Sequence, residues 1–344
     1  MLSDEDIQTF HRDGVVVIEN VLSPREIQEA RDGLHTQLLS MGVDHEALLN
    51  GTARYEEIGP RTKARSANIW YSMWKMQVHL DSNVYMSVKQ LMYETYFSGS
   101  LLYKNPWYGG FDKIHRVPKV HPGKKYVCDL DHDSPTILPF IDRICYRVPD
   151  HIHPEGGLDM HMDLNPVNPF HITTKWRPIQ CFVALTDHFT GDSGGLRVVK
   201  GYHREFDQHF KYDPTSTEGP FYRMGGSGFT ALQKRLEPVY APAGSLVCWD
   251  YRLPHATAQH LISDDTREVV YTGWLPDIPA NKEYQKQQLI NLNKNVAPPG
   301  IKLFEDKSVD RGTKGDKLDV KELDRDWVWD ELTTYQKDML GYFS

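Results

Sequence analysis

Apolar and polar positions follow a helical period near the start of the chain and break into short apolar runs in its second half. Ile7 and Phe10 share one face of a helix that Ser3 opens, with Asp6 three positions on as a variant capping box, and that Gly14 stops. Val15–Ile18 is an unbroken apolar run, as a buried strand requires. Ser23-Pro24-Arg25-Glu26 combines a capping hydroxyl, a first-turn proline and a glutamate at the third position, so a second helix starts there. Its packing stripe is Ile27, Ala30, Leu34 and Leu38, and Gly42 marks its end.

The next hundred residues are less regular. Asn68–Met76 gathers Trp70, Tyr71 and Trp74. The spacing of Val88, Leu91, Met92 and Tyr96 predicts a helix over Met86–Phe97. Residues 104–135 are rich in Pro, Gly, Lys and His and read as loop. Asp129–Asp133 imitates a calcium loop, but Ser134 and Phe140 stand where that loop needs Gly and Glu, so a solvated turn is expected. Then come apolar runs at Ile179–Leu185, Leu196–Val199, Ser245–Trp249 and Val269–Trp274, divided by Gly, Pro and Asp. Short strands with such punctuation predict an antiparallel sandwich or barrel. Beyond Pro298-Pro299-Gly300 the chain turns charge-rich, and Leu323, Trp327, Leu332 and Met339 suggest a helix over Val320–Tyr342. The expected organisation is one domain over residues 1–300 and an extension over 301–344. The domain would comprise helical support at 1–50, a substrate-facing insert at about 50–150 and a barrel at about 150–280.

Composition narrows the function. The 344 residues carry a net charge of −8, with 47 acidic against 39 basic side chains, which disfavours a nucleic-acid partner. No apolar run is long enough to span a bilayer, and acidic Met1–Phe10 has no targeting pattern, so no membrane association and a cytoplasmic location are expected. Four cysteines without a CxxC pair argue against a disulfide framework and a thiolate zinc site. The 16 histidines remain to be explained.

The main chemical signal is His161-Met162-Asp163. In an extended strand residues two apart share a face, so these two side chains can offer nitrogen and oxygen to one ion. A second histidine would complete a two-His-one-carboxylate face, which suits Fe(II) and leaves positions open for substrate and O2. His203, His209, His255 and His260 compete for that role, and His255, just beyond the Ser245–Trp249 strand, is favoured. Arg267 opens the following strand. A buried arginine there would hold the distal carboxylate of 2-oxoglutarate through its always-charged fork, and Thr257 could add a hydroxyl. The competing role for Arg267 is an ion pair with Asp264 or Asp265.

Taken together, these stretches resemble the phytanoyl-CoA dioxygenase (PhyH-like) family of Fe(II)/2-oxoglutarate-dependent oxygenases. The resemblance rests on Phe10–Val16 with Val21-Leu22-Ser23, on His161-Met162-Asp163, on Gly194–Val199 followed by Gly201-Tyr202-His203, and on Ala243–Asp250 leading to His255. Tyr202 replaces the small residue usual in the third motif. The match covers roughly residues 6–40 and 158–275, while 45–150 and the tail beyond 300 have no counterpart. It implies a mainly β fold with flanking helices, a double-stranded β-helix (jelly-roll, cupin-like). Iron would sit on His161, Asp163 and His255, 2-oxoglutarate on Arg267 helped by Thr257, and His203 would stabilise a turn. Halogenases of the family replace the carboxylate with a small residue, so Asp163 argues against halogenation.

The implied activity is oxidation of an unactivated C–H bond in a small-molecule substrate, by hydroxylation, desaturation or cyclisation, with release of succinate and CO2. A carboxylate on that substrate would need a cation, for which Arg65, Lys63 and Arg197 are candidates, and Tyr71 and Trp74 could line an apolar part. A CoA thioester would want a basic groove, which Lys113–Arg116 with Lys119, Lys124 and Lys125 could supply. Two other readings stand beside this one: a cupin-type protein gathering a metal on His151, His153 and His161 without 2-oxoglutarate, and an interaction protein using its aromatic middle. Oligomeric state is not readable from the chain.

Overall fold

The computed structural model describes residues 2–53, 66–67, 69–97, 137–154, 156–163, 177–210, 222–276, 279–294, 297–299 and 332–340. The first helix, α1 (Asp4–Asp13), starts in a complete Ser3/Asp6 capping box and ends on Gly14 in the left-handed conformation, φ 75°. It hands the chain to β1 (Val15–Ile18). Helix α2 (Pro24–Ser40) starts in a second complete box, Ser23/Glu26, and buries Ala30, Leu34 and Leu38. Its cap is Met41, one residue before the expected glycine. Short α3 (His45–Leu49) and α4 (Met73–His79) follow. Helix α5 (Ser82–Met92) begins four residues earlier than its apolar period indicates, because Asp81 caps it, and continues as a π-turn over Tyr93–Phe97.

Strands build two antiparallel sheets. The larger has the order β1-β9-β5-β11-β3-β2, with β2 at Ser66–Ala67, and the smaller β7-β4-β10-β6-β8, with β7 at Tyr222–Arg223. In the larger sheet β3 is Ile137–Arg147, β5 Ile179–Ala184, β9 Leu246–Asp250 and β11 Arg267–Pro276. In the smaller sheet β4 is His161–Met162, β6 Leu196–Val199, β8 Leu236–Pro238 and β10 His255–Thr257. All six residues of β5 are buried, as expected of a strand covered on both faces. Its inner face meets the smaller sheet, and α2, α4 and α5 lie on the outer side of the larger one. There Trp274 of β11 packs edge-on against His79 of α4 and Tyr85 of α5. This is the double-stranded β-helix with helices on one side.

Two stretches depart from the expected pattern. β3 is an eleven-residue strand where none is signalled, since Pro139, Asp142, Arg143 and Arg147 interrupt its apolar run. A helix over Pro279–Asn293 covers its end with polar residues. Gln285 and Gln288 donate to Pro139 O at 2.6 and 2.8 Å, and Gln288 Oε1 accepts from Ile141 N. Of the helix expected over Val320–Tyr342, Thr334–Met339 lies among the described residues. The loop at 104–135, with Asp129–Asp133, lies outside them. No helix among the described residues is long and apolar enough to cross a membrane. Cys145, Cys181 and Cys248 are buried and form no disulfide among the described residues, and Cys128 lies outside them.

Candidate metal centre

β10 pairs with β4 so that His255 stands directly across from His161. Paired residues in antiparallel strands share a face, so both imidazoles point into the barrel. Asp163, one residue past β4, reaches between them. Its Oδ1 lies 3.1 Å from His161 Nε2 and its Oδ2 3.3 Å from His255 Nε2. The three ligand atoms lie within 4.8 Å of one another.

The surroundings set the protonation of each group. His161 Nδ1 is 2.7 Å from Asp159 O and His255 Nδ1 is 3.0 Å from Leu253 O. A carbonyl only accepts, so each Nδ1 carries the proton and each Nε2 turns its lone pair inward, the tautomer a metal needs. Asp163 Oδ2 accepts from Gln180 Nε2 of β5 at 2.6 Å, which fixes the carboxylate against the opposite sheet. Burial works against ionisation of Asp163, but the adjacent His255 and His161 prevail and hold it well below the usual carboxylate range. Burial likewise opposes protonation of His161, yet Asp163 raises it. The centre is therefore an anionic oxygen between two nitrogen donors, a hard-plus-intermediate set suited to Fe(II).

Arg267 lies on the same interior. Strand alternation puts Arg267, Val269 and Tyr271 on one face, and Tyr271 pairs with Phe182, two residues from Gln180. Arg267 is 1% exposed, donates Nη1 to Cys145 Sγ at 2.8 Å, and sits 5.8 Å from the Phe182 ring. It is not paired with Asp264 or Asp265; Asp265 belongs to Arg31 at 3.1 Å. Gly194 has φ 69°, and a Cβ there would stand 3.2 Å from Arg267 Cδ, so only glycine lets this loop cross the arginine. Several buried polar atoms of this interior have no partner among the described residues: Arg267 Nε, Gln180 Oε1, Trp249 Nε1 and both nitrogens of His188. Such a set of orphans fits a polar, anionic group that binds here, as 2-oxoglutarate would.

Other expected residues lie elsewhere. Thr257 shares the face of His255, and its hydroxyl accepts from Leu158 N–H. Arg197 pairs with Ala256, so its side chain leaves the opposite face of the sheet from His255 and donates to Leu236 O at 3.1 Å; alternation removes it from the metal's surroundings. Trp74 donates to Gln37 Oε1 of α2 at 2.8 Å, and its Cβ lies against Gly33, so it joins the helical layer to itself. Tyr71 is buried just before α4 in that layer. Arg65, Lys63 and the basic stretch at 113–125 fall outside the described residues. His260 is exposed and paired with Asp150 at 3.1 Å, and His203 Nε2 donates to His11 O of α1 at 3.1 Å. His209 stacks on Tyr202. His151 and His153 do not join His161 in any ligand group among the described residues.

Sequence reasoning missed two features. Arg147, 1% exposed and opposite Arg267 in the register, donates to Ala258 O and Gln259 O at 2.9 Å each and so ties β3 to the chain leaving β10. A second cluster, His35, His45 and Glu268, also brings its ligand atoms within 4.8 Å, on the outer side of β11. Arg31 Nε already holds Glu268 at 2.9 Å and the imidazoles stack at 3.7 Å. With a cation in place the cluster is an ion-pair network that fastens α2 and α3 to β11.

Comparison with known proteins agrees with this geometry. The family model described as phytanoyl-CoA dioxygenase (PhyH) matches residues 146–269. No curated protein matches. Among solved structures, a hypothetical protein from Escherichia coli aligns at a TM-score of 0.62 and 14% identity, covering 99% of this chain and 81% of that one. The product of GlcNAc Inducible Gene 2 from Candida albicans aligns at 0.60 and 15% identity, covering 99% and 76%. At such identities the likeness is one of fold. The matched segment contains His161, Asp163, His255 and Arg267, and over residues 146–269 the chain is similar to the phytanoyl-CoA dioxygenase (PhyH) family.

Proposed function

We propose that this protein is an Fe(II)/2-oxoglutarate-dependent oxygenase that oxidises an unactivated C–H bond of a small, carboxylate-bearing metabolite. The observation that carries the reading is one interior holding both a two-His-one-Asp donor set and a buried arginine free of any carboxylate among the described residues. His161, Asp163 and His255 would hold the metal through Nε2, Oδ and Nε2. Arg267 would take the distal carboxylate of 2-oxoglutarate, with the Thr257 hydroxyl as a second donor. When bound, the iron and 2-oxoglutarate supply O2 activation, with succinate and CO2 as products. The chain's own part is positional. Gln180 orients Asp163, the carbonyls of Asp159 and Leu253 fix the imidazoles, and Phe182, Trp249 and Val247 exclude water from the interior.

Hydroxylation, desaturation and cyclisation all follow from such a centre, and a free acid suits this acidic chain better than a CoA thioester. The test is succinate formation from 2-oxoglutarate under O2 with the iron-loaded protein, screened against pools of small carboxylic acids. The expected result is turnover that one pool accelerates and that Asp163→Ala abolishes. Equal succinate formation by Asp163→Ala would refute the assignment.

A further inference from the structure

His188 is a buried polar side chain for which the reading above has no task. It lies between β5 and β6, anchored through its backbone to Ala241 by N–H···O bonds of 2.8 and 3.0 Å, and is 1% exposed. Neither ring nitrogen has a hydrogen-bond partner among the described residues. Leaving a buried imidazole unsatisfied is costly, so such a group persists where a ligand completes it or where strain is tolerated for function. Its ring centroid is 6.1 Å from that of Phe182, the ring over which Arg267 sits at 5.8 Å. Arg267 Nε is unpartnered too. Burial keeps the imidazole neutral and the charge of Arg267 adds to that, so His188 has one N–H to give.

Two neighbouring donors with spare capacity, one charged and one neutral, describe a site for an anion with several acceptor lone pairs. A carboxylate has about four such positions, more than one guanidinium edge fills. Resting on the oxygenase reading, we propose that His188 donates a hydrogen bond to the distal carboxylate of the cosubstrate beside Arg267, and thereby selects a dicarboxylate over a monocarboxylate 2-oxo acid. Thr257 lies on the smaller sheet and Arg267 on the larger; His188 enters from the loop between β5 and β6, so the three would close on the carboxylate from separate directions.

The test is calorimetric titration of Ni(II)-loaded protein, which does not turn over, with 2-oxoglutarate and with 2-oxopentanoate, its equal-length analogue lacking the distal carboxylate. His188→Leu is expected to weaken 2-oxoglutarate about 10- to 100-fold, the range of a hydrogen bond to a charged group. It should leave 2-oxopentanoate unchanged, while His188→Gln, which keeps an N–H, should retain most of the affinity. His188→Phe serves as a second donor-free variant with the ring volume preserved, and thermal unfolding checks that each variant folds. Wild-type affinity for 2-oxoglutarate in both donor-free variants, or equal loss of both acids, would overturn the inference. If the wild-type metal-loaded protein binds no 2-oxoglutarate at all, the oxygenase reading falls first, and that result is distinct from either.

Discussion

Replacing Arg267 with methionine separates what this residue does for folding from what it does for binding. The guanidinium is 1% exposed, with Cys145 Sγ at 2.8 Å and Phe182 beneath it, and among the described residues no carboxylate compensates it. Replacing a buried ion pair by apolar side chains of similar volume is often neutral or stabilising by about 1–4 kcal/mol, and the same saved desolvation applies to a buried charge with no carboxylate partner. The cosubstrate complex responds in the opposite direction. Stranding a buried carboxylate costs about 2–5 kcal/mol, a loss of about 30-fold to several thousand-fold in affinity. Thermal unfolding with and without 2-oxoglutarate reads both effects at once. For the metal-loaded wild type, ligand at about 100 times its Kd adds about 2.7 kcal/mol. Arg267→Met should unfold at the same or a higher temperature than wild type without ligand, and ligand at that concentration should add less than about 1 kcal/mol. A variant that keeps the ligand-induced shift would refute the role of Arg267; one that loses several kcal/mol without ligand would show that the arginine is a structural residue.

Three further outcomes follow from the geometry. Gln180→Leu removes the 2.6 Å bond to Asp163 Oδ2 and should weaken metal binding about 10- to 100-fold, measured by competition with a chelator, while leaving the thermal midpoint nearly unchanged. Gly194→Ala forces a side chain into a left-handed position 3.2 Å from Arg267 Cδ and should weaken 2-oxoglutarate without altering metal affinity, measured by the same two titrations. Acid should destabilise the protein below pH 6.5. His79, fully buried against Trp274 with Lys75 nearby and Gly273 O as its partner, is pushed down to about 3 by burial first and Lys75 second. Between those values the unfolded chain binds the proton and the folded chain does not, so stability rises with pH there by about 1.4 kcal/mol per unit for each such histidine. Glu268 and Asp250 have depressed values as well, against burial, through His35 and Arg31 and through Arg252, and they add to the loss only at lower pH. Chemical denaturation from pH 4 to 8 checks this: His79→Gln should have a shallower acid limb, and an unchanged one would contradict the assignment.

What the chain announces about itself depends on how local the signal is. The caps of α1 and α2 are readable to the residue because each is a four-residue hydrogen-bonding pattern. The apolar runs that become β5, β6, β9 and β11 are readable because each strand buries a continuous apolar stretch. β3 is not, since its inner face carries Arg147 and its end is covered by glutamines; the Pro279–Asn293 helix is hidden for the same reason, with Asn281, Gln285 and Gln288 on its buried face. The HxD pair is visible as spacing along one strand. His255 as its partner is a matter of register between β10 and β4, a long-range fact; the sequence favours His255 by its place after a strand but leaves His203, His209 and His260 as competitors. Arg197 illustrates the converse: it is a candidate cation for a substrate carboxylate on residue type, and strand alternation turns it away from His255. His188 and Gln180 carry no local signature, and only burial and missing partners disclose them.

In the proposed function His161, Asp163 and His255 would hold iron, with 2-oxoglutarate bound within reach of Arg267. Anaerobic addition of 2-oxoglutarate to the Fe(II)-loaded protein tests it most directly, followed by visible absorption. The account predicts a weak new visible band that saturates at one equivalent each of Fe(II) and 2-oxoglutarate and is absent from folded Asp163→Ala. No such band in folded, iron-loaded wild type would contradict it.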